Sequence, residues 1–268
     1  MKLLWRLLRG MPAYLWSGWG AAASLLLFVA LWELGAGLYG PLILPTPLDT
    51  LDTLRGLVRA GEAWPELAIT ARRALTGLLL AAGVGSALGL LAGLSMTASM
   101  MARPWVTLLL GMPPIAWLVL AMLWFGAGDG TPVFTVFVAC LPVVFIGALQ
   151  GTRTLDHHLK DMARAYRLPW RMRLFDLYLP HVAAYLFPAW ITALGSSWKV
   201  AVMAELLATS DGVGAALAVT RSHLDTSASL AWICAVVGSL LVLEYALLEP
   251  VKRELERWRS AGGAPPSA

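Results

Sequence analysis

The chain has 268 residues, of which 59% are hydrophobic and only 13% charged, with a formal net charge of +4. These values exclude a water-soluble domain of this size, whose helices would each need a polar face, because long stretches here carry no charge. In a soluble protein the basic balance would raise nucleic-acid binding; here no nucleic-acid partner is expected, because the topology below explains the charge.

No Asp, Glu, Lys or Arg falls between residues 10 and 32, Arg73 and Arg103, Arg103 and Asp129, Asp129 and Arg153, or Asp225 and Glu244. A bilayer core of ~30 Å needs about 20 mostly apolar residues in a helix, and backbone amides in lipid must bond within their own segment. The predicted fold is all-α: a polytopic membrane helix bundle forming one domain over residues 1–268. Six transmembrane helices are predicted, at 17–39, 72–95, 104–126, 131–152, 182–206 and 226–248.

Lys2, Arg6 and Arg9 precede the first apolar run, a pattern that also fits a cleaved signal peptide. Five further spans follow, which favours reading the run as the first membrane helix. The segment 40–71 opens with Leu44-Pro45-Thr46-Pro47, a rigid extended turn. Asp49 to Arg59 then reads as an interfacial helix with Leu51, Leu54 and Val58 on one side. The second span carries Gly77, Gly83, Gly85, Gly89 and Gly93. Small residues let helix backbones approach closely, either within one subunit or between subunits. Pro113 and Pro114 in the third span, and Pro188 in the fifth, predict kinks that either line a translocation path or pack as bent helices.

The segment 153–181 carries six Lys or Arg in 29 residues. Leu159, Met162, Ala163 and Tyr166 share one apolar helical face, and Pro169 stops that helix, so a helix–turn–helix is predicted. In the fifth span Lys199 and Glu205 are ionisable at membrane depth, where such groups mark a pathway or a paired site. They point about 120° apart and are not expected to pair. Lys199 either snorkels to the outer interface or attracts an anion. Glu205 is expected to brace a turn at Gly212 and Gly214. Trp198 shares a face with Glu205. Cys140 and Cys234 read as small buried hydrophobes.

With alternating sides, 14 basic residues fall on one side and 5 on the other, Lys199 apart. The positive-inside bias places both termini in the cytoplasm: residues 1–16 and the tail 249–268 are inside, and 40–71 outside. The location expected is the inner (plasma) membrane of a prokaryote, in contact with membrane lipid.

The segment 153–181 resembles the coupling loop of ABC importer permeases, whose pattern is Glu-Ala-Ala, three residues, Gly, nine residues, an aliphatic, one residue and Leu-Pro. Asp161-Met162-Ala163 stands at the first three positions, Arg167 at the Gly, Leu177 at the aliphatic, and Leu179-Pro180 ends the match. Arg167 departs from the pattern where left-handed backbone is tolerated. Pro113-Pro114-Ile115-Ala116-Trp117 and Leu123-Trp124-Phe125-Gly126 look like the third-span signature of the sulfonate, nitrate and taurine branch. Leu44-Pro45-Thr46-Pro47, Arg73 with Gly77, Trp198-Lys199, Ala204-Glu205 and Gly212-Val213-Gly214 are similar to other signatures of that branch. The resemblance covers residues 28 to 250.

What it implies is a non-enzymatic transport subunit. The chain has no Gly-x-x-x-x-Gly-Lys-[Ser/Thr] phosphate loop, binds no cofactor or metal, and leaves ATP and Mg to a partner ATPase. Asp161, Met162, Ala163, Tyr166, Arg167, Arg171, Leu179 and Pro180 are the residues implied for a cytoplasmic coupling helix and its surroundings. Trp198, Lys199, Glu205, Gly212, Gly214, Pro113 and Pro114 are the candidates for the path or gate. The implied partners are a cytoplasmic ATPase, a periplasmic or lipid-anchored solute-binding protein, and a second copy of the chain. The alternative, a stand-alone secondary transporter or channel, leaves the spaced inner loop unexplained.

Overall fold

The structure is a computed structural model; it describes residues 23–155 and 157–243. The predicted N-terminal segment 1–16, the start of the first span, the end of the sixth span and the tail 249–268 lie outside the described residues, as does Asp156. Eleven helices follow in order among those described: α1 Ala23–Tyr39, α2 Pro47–Arg59, α3 Ala63–Leu94, α4 Met96–Gly111, α5 Pro114–Phe125, α6 Gly130–Arg153, α7 His157–Ala165, α8 Trp170–Met172, α9 Leu179–Ala208, α10 Val213–Ser222 and α11 Thr226–Leu243. A π-helical stretch, Arg173–Tyr178, joins α8 to α9.

Four helical stretches are long and apolar enough to cross a membrane: α3, α6, α8 running through α9, and α11. A fifth arises only if α4 and α5 count as one span, and these two are bent by 93°. The predicted single helix over 104–126 is thus corrected to two helices. Met112 and Pro113 are extended between them. A residue before proline avoids helical backbone, and Pro113 is itself followed by Pro114, so helical hydrogen bonding cannot cross the break. α1 spans 17 residues among those described and stands at the periphery, tethered by the Trp32 Nε1 hydrogen bond to the Pro45 carbonyl at 2.9 Å.

The helix predicted from residue 49 is present as α2. Thr46 caps it by accepting from the Asp49 amide at 3.1 Å, and Pro47 occupies its first turn. Leu54 and Leu57 pack against Ala63, Val213 and Trp232 and Thr50 is buried, while Leu51 and Val58 of the predicted apolar side are exposed. A stripe of i, i+4, i+7 is the ordinary buried face of a short surface helix.

The core is a three-helix sandwich of α3, α6 and α9. The small-residue stripe of α3 closes it. A Cβ added to Gly89 would lie 2.5 Å from the Phe145 carbonyl oxygen, and one on Gly77 2.7 Å from that of Val133. Gly85 and Gly93 likewise meet α6, whereas Gly83 faces open space. Four of the five glycines therefore serve packing inside one chain. Cys140 is buried in this core and its Sγ donates to the Ala193 carbonyl at 3.3 Å; Cys234 is partly exposed, and both are free.

Candidate functional site

Three features of the bundle carry chemistry: a buried ionic cluster at one end, the two exposed strips of α9, and the α7–α8 elbow at the other end.

The cluster is centred on Arg73 of α3, whose side chain is 2% exposed. Its Nη1 donates to Glu205 Oε1 at 3.1 Å and to the Asp211 carbonyl at 2.8 Å. Its Nη2 reaches Asp211 Oδ1 at 2.6 Å, and its Nε reaches Asp129 Oδ1 at 2.7 Å. Arg72 also pairs with Asp129. One guanidinium thus ties α3 to the α5–α6 connection and to the turn between α9 and α10. The planar fork of arginine suits this multiple engagement. Hydrogen bonding to Arg73 holds the half-exposed Asp129 carboxyl below the usual carboxylate range.

Glu205 is fully buried, yet every neighbour answers its charge. Thr70 Oγ1 donates to its Oε2 at 2.7 Å and the Gly214 amide does so at 3.2 Å. Thr70 in turn accepts from the Val213 amide at 2.9 Å, and Glu66 accepts from the Gly212 amide. The first amides of α10 therefore point at carboxylate and hydroxyl oxygens, the favourable arrangement at a helix N-terminus. The glycines of the turn are required by space. Gly212 has φ +93°, and a Cβ there would sit 2.5 Å from the Glu205 carboxyl carbon. At Gly214 a Cβ would sit 2.3 Å from the Val202 carbonyl oxygen.

Arg73, Thr70, Glu66, Asp129 and Asp211 were not among the candidate site residues read from the sequence. One signal was available: a carboxylate inside an apolar span needs a cation, and Arg72 and Arg73 border the neighbouring span.

The path candidates separate. Trp198, 3% exposed, sits in the α3–α6–α9 core with its indole N–H buried and unpartnered among the described residues. Glu205 lies against the Gly212–Val213–Gly214 turn, as the brace the sequence suggested; the face that it shares with Trp198, seven residues away, is packed inside the chain. Lys199 lies on the exposed side of α9. Pro113 and Pro114 are exposed at the α4–α5 break.

At the elbow, α7 ends in a left-handed turn. Arg167 has φ +49°, and the Leu168 amide donates to the Ala163 carbonyl at 3.0 Å. This is the Schellman arrangement, with Arg167 at the position glycine usually takes. The turn geometry is kept despite the substitution, at a cost of about 1–2 kcal/mol for a side chain in this region. Met162 and Tyr166, one turn apart, are exposed, as are Asp161, Arg167 and Arg171. Arg171 lies over the Trp170 ring, 5.6 Å from its centroid. Ala163 is 2% exposed and packs inward. That corrects its assignment to a partner-facing surface: the 162/166 pair and residue 163 lie on different sides of a helix of about two and a half turns. Leu179 and Pro180 are exposed at the start of α9.

The profile of the family described as binding-protein-dependent transport system inner membrane component matches residues 85–250. The chain is 31% identical over 237 residues to a putative aliphatic sulfonates transport permease protein, SsuC, of Bacillus subtilis (strain 168), covering 87% of this chain and 85% of that one. It is 28% identical over 227 residues to the taurine transport system permease protein TauC of Escherichia coli (strain K12), covering 82% of each. It is 28% identical over 196 residues to the bicarbonate transport system permease protein CmpB of Synechococcus elongatus, covering 69% and 70%. Among solved structures, the inward-facing MetNI methionine ABC transporter contains a chain matching 72% of this one, with 93% of its own length covered, a TM-score of 0.55 and 16% identity, a likeness of fold. With an all-helical apolar bundle and a family profile spanning most of its length, the chain belongs to the inner membrane components of binding-protein-dependent transport systems, the permeases of ABC importers.

Proposed function

We propose that this permease takes its energy from a separate ATPase that grips the α7–α8 elbow, and that it conducts a small anion. The observation that carries the first part is the elbow itself. Met162 and Tyr166 present an exposed apolar pair on a short helix held by a Schellman turn, with Arg167 and Arg171 beside it. An exposed hydrophobic pair rimmed by charge is a docking surface. ATP and Mg belong to that partner, since the sequence has no phosphate-binding loop of its own. ATP-driven closure of the ATPase would shift the bundle between inward-open and outward-open arrangements only through unequal affinity for the two.

The basic bias of the segments puts α7 and both termini in the cytoplasm, and the Arg73 cluster at the outer end, where a solute-binding protein delivers cargo. Five or six helices enclose no full path alone, so a two-fold pair of copies is the natural assembly. The small-anion reading follows the sulfonate, taurine and bicarbonate named for the relatives.

The test is reconstitution. The permease, co-expressed with its cognate ATPase and solute-binding protein, is purified and placed in liposomes. Copurification of the ATPase and ATP-dependent uptake of labelled taurine or an alkanesulfonate are expected. Uptake that proceeds unchanged without ATPase or ATP would favour a stand-alone transporter and overturn the reading.

A further inference from the structure

α9 is 30 residues long, ~45 Å at 1.5 Å per residue, and two opposite strips of it are exposed or half-buried. One strip is Leu179, Ala183, Phe187 and Trp190. It borders a cavity of about 320 Å³ whose lining is apolar apart from Thr152 and Tyr178. The opposite strip is His181, Tyr185, Thr192, Ser196 and Lys199. At about 100° per residue, His181, Thr192 and Lys199 lie within ~20° of one another, while Trp190 points ~180° away. A second cavity, of about 510 Å³, opens along the lower part of this polar strip, between α6 and α9. Gln150 of α6 adds an amide to it, next to His181, Tyr185 and Thr192, and the rest of the lining is apolar, with Pro188 on the same side of α9.

Lys199 continues the strip ~10 Å beyond Thr192. None of the ion pairs formed around Arg55, Arg72 and Arg73 includes it. A lysine at this depth is costly against lipid and is found facing a water-filled cavity or a partner. Snorkelling alone would explain the ammonium. It would not explain an amide, an imidazole, a phenol and two hydroxyls aligned below it, while the opposite strip of the same helix is apolar.

We infer that the His181–Thr192–Lys199 strip of α9 is the wall of the translocation route, and that Lys199 is the residue that selects an anionic solute. The inference rests on the importer reading above and deepens it. The route's selectivity is placed on the single positive charge of Lys199, which suits a monoanion such as a sulfonate; the Thr192 and Ser196 hydroxyls donate to the Pro188 and Thr192 carbonyls and add polarity to the wall rather than free donors. The buried Arg73 guanidinium, saturated by three carboxylates, is not available for this role.

The test uses the assembled transporter in liposomes, with Cys140→Ala and Cys234→Ala as the parent. Thr192→Cys and Trp190→Cys are each treated with a sulfonate-bearing and a trimethylammonium-bearing methanethiosulfonate. Thr192→Cys is expected to label at least tenfold faster than Trp190→Cys. The anionic reagent should be favoured by about tenfold over the cationic one, and adding Lys199→Met should abolish that preference while Lys199→Arg keeps it. An unlabelled Thr192→Cys, or a charge preference that survives Lys199→Met, overturns the inference. ATP-driven uptake by the parent is measured in the same liposomes. Uptake with the wrong labelling pattern sinks the wall alone, and loss of ATP dependence in an active parent sinks the importer reading.

Discussion

Arg73 and Glu205, 132 residues apart in the chain, meet at 3.1 Å with both side chains closed off from solvent. Removing one member of such a pair leaves the other charge buried and uncompensated, which costs about 3–5 kcal/mol. Arg73→Met is therefore expected to lower membrane accumulation and to lower the detergent melting temperature by several degrees. Glu205→Gln, whose amide oxygen can still accept from Thr70 and the Gly214 amide and which leaves Arg73 paired with Asp129 and Asp211, should cost less. The comparison is made by thermal-shift measurement of the purified permease; equal stability for Arg73→Met and the parent would refute the keystone role.

Asp129 supplies a pH dependence at the same cluster. Its folded carboxyl titrates below the ordinary range because Arg73 donates to it. For a depressed carboxylate the stabilisation is fully present above the unfolded pKa of about 3.9 and is lost as pH falls through the folded value. The melting-temperature gap between the parent and Asp129→Asn should stay constant from neutral pH down to about pH 4.5 and shrink below. A gap that shrinks between pH 7 and pH 5 contradicts this origin.

The α3–α6 contact makes a paired prediction. Gly89→Ala forces a Cβ to 2.5 Å from the Phe145 carbonyl oxygen, so backbone must move. Overpacking of this kind costs about 1–3 kcal/mol. Gly83→Ala meets nothing within 4 Å and should be neutral, or stabilising by about 0.5–1 kcal/mol through lower backbone entropy. Melting temperatures of the two variants decide it; equal losses would mean that Gly83 packs against something outside the single chain.

Relieving the strain at Arg167 should tighten the elbow. Arg167→Gly removes the left-handed penalty at φ +49°, a gain of about 1 kcal/mol or less after the extra entropy lost by glycine. Hydrogen exchange at the Leu168 amide, which closes the Schellman turn, is expected to slow by up to about fivefold. Unchanged or faster exchange counts against the strain.

At the same elbow, Met162→Cys and Tyr166→Cys should crosslink to the partner ATPase in the assembled complex. Ala163→Cys should not, because position 163 is turned into the permease. Crosslinking through 163 with both others silent would reverse the assigned face of α7.

The sequence by itself determined that this is a helical membrane protein, because charge-free runs of bilayer length admit no other economical backbone. It also determined the boundaries of α6 to within a residue, since Asp129 and Arg153 bracket an uninterrupted apolar run. The helix–turn–helix of the inner loop was legible in the sequence: Pro169 ends one helix and a second begins directly after it. Other features needed tertiary structure. The third span broke because two prolines set backbone direction, and a hydropathy run cannot register an angle of 93°. Glu205 was recognised as a turn brace, and Lys199 on its own helix was set aside as its partner because it points away, so its cation stayed unassigned. Only packing brings α3 to α9 and makes Arg73 the partner. The same packing decided which side of α9 is core and which is exposed. Trp198 and Lys199, adjacent in sequence, therefore have opposite fates, one sealed among α3 and α6, the other left on a polar strip. Residue type and period state that a helix has faces; only the neighbours it meets determine which face is buried.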